Sequence, residues 1–462
     1  MTPTRSAGTD AGLGAGSTLR TPSPMTQRVM TRRGWFLVVL NLLVPGAAQT
    51  LAGNRRLGRF ALGTTLALWA LVVLTVAVYF LWPSVIFTAA TNPIVLWVVQ
   101  ILLVGYAVVW IVVTLDTLRL VRFVRVRPPM RPAIAVFSIA ALVLLTGTAA
   151  YGTMIAGVTR DTISNVFQAA PPEPPINGRY NILLLGGDAG PDREGLRPDS
   201  ISVVSIEDAT GKVSMFGLPR DLTNIPFSPE SPMLANYPDG YGYDDYCDVD
   251  VCMLNSIYTE VTLKSPDLYP NALAEGSEPG IEAMRDAVEG ALGIQIQYYV
   301  LIDMYGFEQL INALGGITID VKERIPIGGS EDLSDVETWI EPGVQHLDGN
   351  WALWYARSRH GSDTGDYARM QRQREVQQAM IQQMDPANVL ARFQDVAAAG
   401  ADVVKTDVPQ GTLGHFVELA LKAKGQPITD LEFVPPTIDP EAPDYALIQQ
   451  MTAQAMALTP EE

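Results

Sequence analysis

The sequence predicts two parts of different class: an α-helical membrane region, and after it an α/β domain whose mixed β-sheet carries helices on both faces. Three observations lead to this prediction. The 462 residues divide sharply in charge, three long stretches in the first third carry no charge, and strand and helix patterns alternate from about residue 180 onward. A chain of this length accommodates two or three domains.

The charge division also limits the function. Residues 1–160 contain 14 arginines, no lysine and two acidic residues, a net charge of +12. Residues 161–462 contain 18 basic and 47 acidic residues, a net charge of −29. Nucleic acid needs a basic binding surface, so we expect no nucleic-acid partner. Two cysteines exclude a disulfide-dense scaffold, and three histidines offer little for a histidine-built metal centre.

Three uncharged stretches predict membrane-spanning helices. Residues 60–82, 94–115 and 133–158 contain 23, 22 and 26 residues, and each is long enough to cross a hydrocarbon core of about 30 Å. A fourth apolar stretch, 35–52, is interrupted by Pro45 and Gly46. Because proline removes a helical hydrogen bond, this stretch is predicted to be re-entrant or interfacial, with a full fourth span as the alternative.

Arginine placement orients the spans. Arginines crowd residues 55–59 and 119–131, whereas the loop 83–93 has no charge. The basic loops are expected in the cytoplasm, so the last span runs outward and places everything after residue 158 outside. The sequence therefore predicts a multi-pass protein of the cell membrane with the lipid bilayer as a partner and an extracytoplasmic soluble domain.

These patterns give provisional domain boundaries. Residues 1–34 are predicted to be a disordered cytoplasmic segment, because Thr, Ser, Gly, Pro and Ala dominate most of it. The transmembrane region follows at 35–158 and a Pro-rich linker at 159–178, which includes QAAPPEPP. The α/β domain is assigned to 179–440 and a C-terminal tail to 441–462.

Within the α/β domain, apolar runs closed by glycine predict strands, and 3.6-residue periodicity predicts helices. Strands are expected at 180–187, 201–206, 213–218, 298–302, 318–321, near 403 and at 431–434. Helices are expected at 281–292, 305–314, 351–356, 367–384, 386–398 and 413–423. The stretch 238–279 has little regular pattern and holds four aspartates around Cys247 and Cys252. An acidic surface loop, a local disulfide and a calcium loop are all compatible with it.

Two acidic positions are candidates for a metal site. Asp188 and Asp199 flank a glycine-containing loop just after a strand. Carboxylates at strand ends can bind a hard cation such as Mg²⁺, although aspartate is also common in turns. Arg220 and Asp221 close another strand within the sequence LPRD, where they could equally form an ion pair at the domain edge.

Arginines are concentrated between residues 343 and 373. Arg357, Arg359, Arg369 and Arg372 lie within 16 residues of an acidic domain, and Gln373 follows at once. Arg369 and Gln373 are four residues apart and share a helix face, and Asp366 can cap that helix. An arginine cluster beside a carboxylate-bound cation suits a pyrophosphate, whereas surface salt bridging is the plain alternative.

The ordered set of these motifs resembles the LytR-CpsA-Psr family. It comprises NILLLGGD at 181–188, RPD at 197–199, LPRD at 218–221, LN at 254–255, YY at 298–299, GG at 315–316, the segment 345–359 and DYARMQRQ at 366–373. Members of this family are membrane-anchored extracytoplasmic enzymes of Gram-positive bacteria. They transfer glycopolymers from polyprenyl-pyrophosphate carriers to peptidoglycan.

The resemblance implies a phosphotransferase, or ligase, of cell wall assembly, with a polyprenyl-pyrophosphate-linked glycan and peptidoglycan as its substrates. It implies that Asp188 and Asp199 hold Mg²⁺ or Mn²⁺. Substrate binding is assigned to Arg220, Arg357, Arg359, Arg369, Arg372 and Gln373. Catalysis is assigned to Arg220, Asp221 and Asp366, with Asp366 as the candidate base. A polyprenyl-pyrophosphate hydrolase and a non-catalytic lipid-binding or regulatory membrane protein are the alternatives.

Overall fold

The computed structural model describes residues 27–187, 197–328, 333–359, 365–383 and 404–457. The chain divides into two compact units, Met1–Val158 and Thr159–Glu462, here called the N-terminal and C-terminal units. The predicted helix at 386–398 and the residues up to 403 lie outside the described residues, as does Asp188.

The described part of the N-terminal unit is helical. The helices that begin in it are α1 (Gln27–Leu43), α2 (Ala47–Ala52), α3 (Arg55–Leu81), α4 (Pro83–Thr91), α5 (Pro93–Val121) and α6 (Met130–Val166). Of the helices described, α3, α5 and α6 are long and apolar enough to cross a membrane. They coincide with the three uncharged stretches. Helix α6 continues to Val166, so the first eight residues assigned to the linker are helical.

The apolar stretch 35–52 is broken where the sequence predicts an interruption. Gly46 separates α1 from α2 and has a φ of 93°, a conformation that favours glycine. A Cβ on Gly46 would lie 2.6 Å from the backbone nitrogen of Leu62, so a side chain has no room there. Asn41 donates to Thr114 of α5 at 3.2 Å. The stretch therefore packs against its neighbouring helices through close backbone approach at Gly46 and a buried polar contact from Asn41 in α1.

The C-terminal unit is built on a six-stranded mixed sheet in the order β10-β3-β2-β1-β4-β9. Its strands are β1 (Arg179–Gly187), β2 (Pro198–Glu207), β3 (Val213–Leu218), β4 (Tyr298–Ile302), β9 (Val404–Thr406) and β10 (Thr429–Glu432). Strands β1 and β4 are parallel, as are β3 and β10, and the other pairs are antiparallel. The predicted mixed sheet is confirmed.

Helices cover both faces of this sheet, as predicted. The described helices of this unit are α7 (Ser256–Lys264), α8 (Pro279–Leu292), α9 (Met304–Leu314), α10 (Gly349–Arg357), α11 (Asp366–Gln383), α12 (Leu413–Ala423) and α13 (Tyr445–Ala457). On one face, Leu183 and Leu185 of β1 pack in a core that includes side chains of α7, α8 and α13. On the other face, Leu184 packs in a cluster with Ala423 of α12 and Ile381 of α11.

A second, smaller core lies beside the main sheet. It contains Ile311 of α9, Tyr355 of α10 and Val376 of α11, together with strand residues of two hairpin-like pairs. These pairs are β5 (Ile317–Val321) with β8 (Gly343–Leu347), and β6 (Ile325–Gly328) with β7 (Val336–Ile340). Only β5 was predicted. The other three strands are four or five residues long. They form largely because they pair with a neighbouring strand, since their own sequences carry no strong strand pattern.

Two further predictions about local structure were wrong. The stretch 238–279 contains α7, whose residues Ile257 and Val261 are fully buried. The segment assigned to a C-terminal tail contains α13, where Ile448, Thr452 and Ala455 are buried. Their spacing of four and three residues places them on one helix face. The folded domain therefore extends beyond residue 440.

Candidate functional site

The antiparallel pairing of β2 and β3 brings Asp199 and Arg220 together. Ile201 lies opposite Leu218, a register that carries Asp199 and Arg220 to neighbouring positions just beyond the pair. Arg220 Nη1 donates to Asp199 Oδ1 at 2.6 Å. The backbone N–H of Asn255 donates to the carbonyl of Arg220 at 3.1 Å and so fixes the main chain at this arginine. The site thus begins as an ion pair between two adjacent strands.

Two more arginines reach the other oxygen of the same carboxylate. Arg359 Nη2 lies 3.1 Å from Asp199 Oδ2, and Arg369 Nη1 lies 3.8 Å from it. Helix α10 ends at Arg357, and the next residue, Ser358, has a non-helical ψ of 130° that directs Arg359 out of the helix. Arg369 lies in the first turn of α11. We call Asp199, Arg220, Arg359 and Arg369 the Asp199 cluster.

The charge of the Asp199 cluster suits an anion. Three guanidinium groups face one carboxylate, so these four side chains carry net positive charge. The side chain of Arg369 is 3% exposed, whereas those of Arg220 and Arg359 are 29% and 45% exposed. Guanidinium groups present planar, paired donors that match the oxygens of a phosphate. The arrangement therefore offers one buried and two solvent-facing cations to a ligand with several anionic oxygens.

A small recess, partly open to solvent, adjoins the Asp199 cluster between α11 and strands β2 and β3. It is lined by Asp199, Ser200, Ile201, Ser202, Gly217, Leu218, Met370, Gln373, Arg374 and Gln377. The four residues from α11 follow one another at spacings of three, one and three, so they share one face of the helix. Gln373 therefore reaches the site next to Asp199, as its four-residue spacing from Arg369 predicts.

Arg357 lies at the end of α10 and is exposed. Its guanidinium carbon stands 6.0 Å from the centre of the Trp354 ring. This distance is at the outer limit of a cation–π interaction. The structure therefore places Arg357 one residue before the turn that delivers Arg359 to Asp199, with an aromatic ring alongside it.

Arg372 has a different environment from the one predicted for a substrate-binding residue. It is 4% exposed, and its Nε donates to the carbonyl of Tyr355 at 3.0 Å. Its Nη2 donates to the carbonyl of Ser358, and its Nη1 contacts Glu323 at 3.2 Å. Burial lowers the pKa of Arg372. Because these contacts satisfy carbonyls at the end of α10, Arg372 joins α10 to α11.

The remaining predicted residues are placed less fully. Asp221 follows Arg220 and is half-buried. Asp366 is the first residue of α11, but its side chain is not among those described. Among the described side chains, no three or more His, Cys, Asp or Glu residues form a group that could hold a metal ion. Of the predicted metal pair, the described residues therefore contribute Asp199, which has the oxygen donors that Mg²⁺ prefers.

Arg374 was not predicted as a site residue. It is 3% exposed, lies one residue after Gln373 and lines the recess. It forms ion pairs with Asp430 and Glu432 of β10. The sequence signal was present in the run Arg372, Gln373, Arg374, but spacing alone did not tell which arginine faces the sheet.

The acidic loop before α7 is held beside the Asp199 cluster. Cys247 and Cys252 form a disulfide, which is one of the arrangements that the sequence left open. Glu260 of α7, which is 1% exposed, accepts hydrogen bonds from the hydroxyls of Tyr237 and Tyr241 and, at 3.1 Å, from the backbone N–H of Asp248. Burial raises the pKa of both tyrosines.

Both ends of this loop pair with the segment that follows β3. The backbone N–H of Tyr241 donates to the carbonyl of Ile225 at 2.8 Å, and that of Leu254 donates to the carbonyl of Leu222 at 2.9 Å. That segment begins with Arg220. Backbone hydrogen bonds therefore fix the loop next to the site.

Comparison with known proteins gives a family match over most of the chain. The model of the LytR_cpsA_psr family matches residues 148–457. Biofilm regulatory protein A of Streptococcus mutans is 28% identical over 234 residues, which cover 50% of this chain and 50% of that protein. The polyisoprenyl-teichoic acid–peptidoglycan teichoic acid transferase TagU of Enterococcus faecalis is 31% identical over 232 residues, which cover 50% of this chain and 61% of that protein.

The match thus spans about half to three fifths of the length of these two relatives. Among solved structures, TagV of B. subtilis aligns with 61% of this chain and 98% of its own. The sequence identity is 23% and the TM-score is 0.41.

Proposed function

The chain belongs to the LytR_cpsA_psr family, and we propose that it transfers a glycopolymer from a polyprenyl-pyrophosphate carrier to peptidoglycan. The observation that carries this proposal is the Asp199 cluster, in which three arginines from three separate elements converge on one carboxylate. A relative that is 31% identical is named a polyisoprenyl-teichoic acid–peptidoglycan teichoic acid transferase. Its named substrate class contains the phosphate that such a cluster would bind.

The proposed reaction is a phosphoryl transfer. A hydroxyl oxygen of peptidoglycan forms a bond to the sugar-proximal phosphorus of the carrier. The bond from that phosphorus to the bridging oxygen of the pyrophosphate breaks, and polyprenyl phosphate leaves. The hydroxyl proton passes to a base, for which Asp366 is our candidate. One bond forms and one breaks at the same phosphorus. Catalysis of such a step comes mostly from positioning the reactants and stabilising the charge.

The arginines have distinct parts in this proposal. Arg369, buried at the start of α11, provides a fixed positive charge near Asp199. Arg220 and Arg359 are more exposed and can close on phosphate oxygens from two sides. Gln373 adds an amide donor from the recess. Together these groups would hold the pyrophosphate and stabilise the negative charge that gathers on the leaving phosphate. Arg357 and Asp221 stay in the proposed binding and catalytic set, respectively.

Mg²⁺ or Mn²⁺ is also part of the proposal, with Asp188 and Asp199 as its ligands. The carboxylate of Asp199 has the right donor chemistry and lies among the arginines that would contact the pyrophosphate. A bound divalent ion would supply additional positive charge at the phosphate oxygens. The arginines and Gln373 would still bind and orient the substrate.

We further propose that the protein is a multi-pass membrane protein with its C-terminal unit outside the cytoplasm. The three apolar helices α3, α5 and α6 and the arginines at 119–131 support this orientation. The disulfide Cys247–Cys252 is compatible with an oxidising compartment. A reporter fused after Gln168 should be active outside the cytoplasm only, and a cytoplasmic signal would contradict both the orientation and the substrate.

The direct test is a transfer assay with the full-length protein in membranes. Polyprenyl-pyrophosphate-linked glycan is supplied with and without peptidoglycan, and the products are separated by mass. Glycan attached to peptidoglycan supports the transferase. Release of glycan phosphate in both conditions, without attachment, would establish a hydrolase instead. Carrier binding without any product would establish a non-catalytic lipid-binding protein. Arg324→Met is a suitable control, since Arg324 pairs with exposed Glu341 just outside the paired strands β6 and β7.

A further inference from the structure

The recess beside the Asp199 cluster is lined by a buried arginine, Arg374, that has no role in the reaction proposed above. Arg374 lies on the same face of α11 as Gln373, and its side chain is 4% exposed. Carboxylates contact its guanidinium at two nitrogens. Nη2 contacts Asp430, and Nε lies 3.1 Å from Glu432 Oε1. Nη2 also donates to the carbonyl of Met215 at 3.4 Å.

The third nitrogen, Nη1, lies against Gly217, another residue that lines the recess. A Cβ built on Gly217 would meet it at 2.1 Å, so Nη1 lies directly against the backbone of β3 where a side chain is missing. Gly217 and Arg374 both line the recess. Among the residues that the structure describes, Nη1 is buried and has no hydrogen-bond partner, and Nε, although at ion-pair distance from Glu432, makes no hydrogen bond either. A buried donor without an acceptor costs free energy, so this end of the guanidinium is suited to an incoming acceptor.

The other polar groups of the recess favour an acceptor of small size. Ser202 and Gln377 bond to each other at 3.2 Å, which leaves the amide of Gln373 and the hydroxyl of Ser200 as nearby donors. The recess has room for about one water-sized group. A single phosphate oxygen has this size, whereas a sugar ring or a whole pyrophosphate does not. Burial lowers the pKa of Arg374 to about 10, which keeps the guanidinium charged at neutral pH.

We propose that Arg374 is a further substrate-binding residue, whose Nη1 donates to one non-bridging oxygen of the carrier's pyrophosphate inside the recess. This inference rests on the proposed function. Asp430 and Glu432 hold the opposite side of the guanidinium and so aim Nη1, while Gly217 leaves the space it occupies. The Asp199 cluster would hold the outer oxygens of the same group from the open side.

Binding measurements on the full-length protein in detergent test the inference, with inorganic pyrophosphate and a short-chain polyprenyl pyrophosphate as probes. Loss of one charge-assisted hydrogen bond should weaken both affinities about 10- to 100-fold in Arg374→Met. Arg374→Lys keeps the charge but not the fork, so it should lose less. Asp430→Asn should also weaken binding, because the guanidinium of Arg374 remains but loses the carboxylate that holds it in position. Arg324→Met is the matched control and should bind as the wild type does.

Arg374 also joins α11 to β10, so thermal midpoints are measured on the same variants. If Arg374→Met fails to fold, Arg374→Lys and Asp430→Asn decide. A lowered midpoint with unchanged affinity in these variants would show a purely structural ion pair and overturn the inference. In that case the proposed function would stand if the wild type binds the probes and Arg369→Met does not. Absence of binding to either probe by the wild type would overturn the proposed function and the inference with it.

Discussion

Arg369 and Arg372 are three residues apart on one helix and belong to regions with opposite properties. Arg369 contacts Asp199 in a cluster where cations outnumber the carboxylate and two of the arginines face solvent. Arg372 donates to the carbonyls of Tyr355 and Ser358, where α10 ends. In the first region the side chains of Arg220 and Arg359 are 29% and 45% exposed, and in the second the guanidinium of Arg372 donates to main-chain carbonyls inside the protein. Partners, more than residue type or spacing, separate the proposed substrate-binding arginine from the arginine that joins two helices.

The largest effect on transfer is expected from Arg369→Met. Each charged hydrogen bond to a ligand contributes roughly 1.5–3 kcal/mol, so transfer should fall about 10- to 150-fold. Arg220 and Arg359 would still contact Asp199, so the thermal midpoint should change little. Transfer rate and midpoint are measured together, with Arg324→Met as the control. A large fall in midpoint with unchanged transfer would place Arg369 in the structural region.

Arg372→Met should give the opposite result. Two buried carbonyls would lose a charged donor, which should reduce the free energy of unfolding by about 2–4 kcal/mol. Affinity for pyrophosphate, measured below the unfolding temperature, should fall by less than in Arg369→Met. Denaturant titration and binding on the same preparation check this. Unchanged stability with lost affinity would restore the sequence prediction that Arg372 binds substrate.

A change of pH should alter stability through α8, independently of both arginine regions. Burial raises the pKa of Glu289 to about 7. Between about pH 4.5 and pH 7 the folded state therefore keeps a proton on Glu289 that the unfolded state has released. The free energy of unfolding falls as the pH rises through this range. In Glu289→Gln the free energy of unfolding should therefore fall less between pH 5 and 8 than in the wild type, by up to about 3 kcal/mol. An equally steep decline in the variant would contradict the assignment.

The smallest effect is expected at the disulfide loop. Closing so short a loop restricts the unfolded chain only modestly, so replacing Cys247 and Cys252 by serine should cost about 2 kcal/mol. The Glu260 contacts remain and hold the loop beside the segment of Arg220. Transfer should therefore persist at temperatures where the variant is folded. Loss of transfer without loss of stability would mean that the loop itself takes part in binding.

The sequence predicted much of the α/β fold because its central strands and amphipathic helices carry their own patterns. Strands such as β1 and helices such as α12 are encoded by continuous apolar runs or helical periodicity. The small sheets were largely missed, since β6, β7 and β8 are short and owe their form to pairing. Helix α13 was missed although Ile448, Thr452 and Ala455 have helical spacing, because its stability comes from the core it covers.

The sequence by itself determined the division into an apolar basic part and an acidic α/β part, the three apolar helices and the set of candidate arginines. These are properties of composition and local periodicity, which survive without tertiary contacts. Only the tertiary structure decided that Arg220, Arg359 and Arg369 converge on Asp199, that Arg372 joins two helices, and that Arg374 lines the recess. Side-chain partners come from elements far apart in the chain, and strand register and helix packing choose among them.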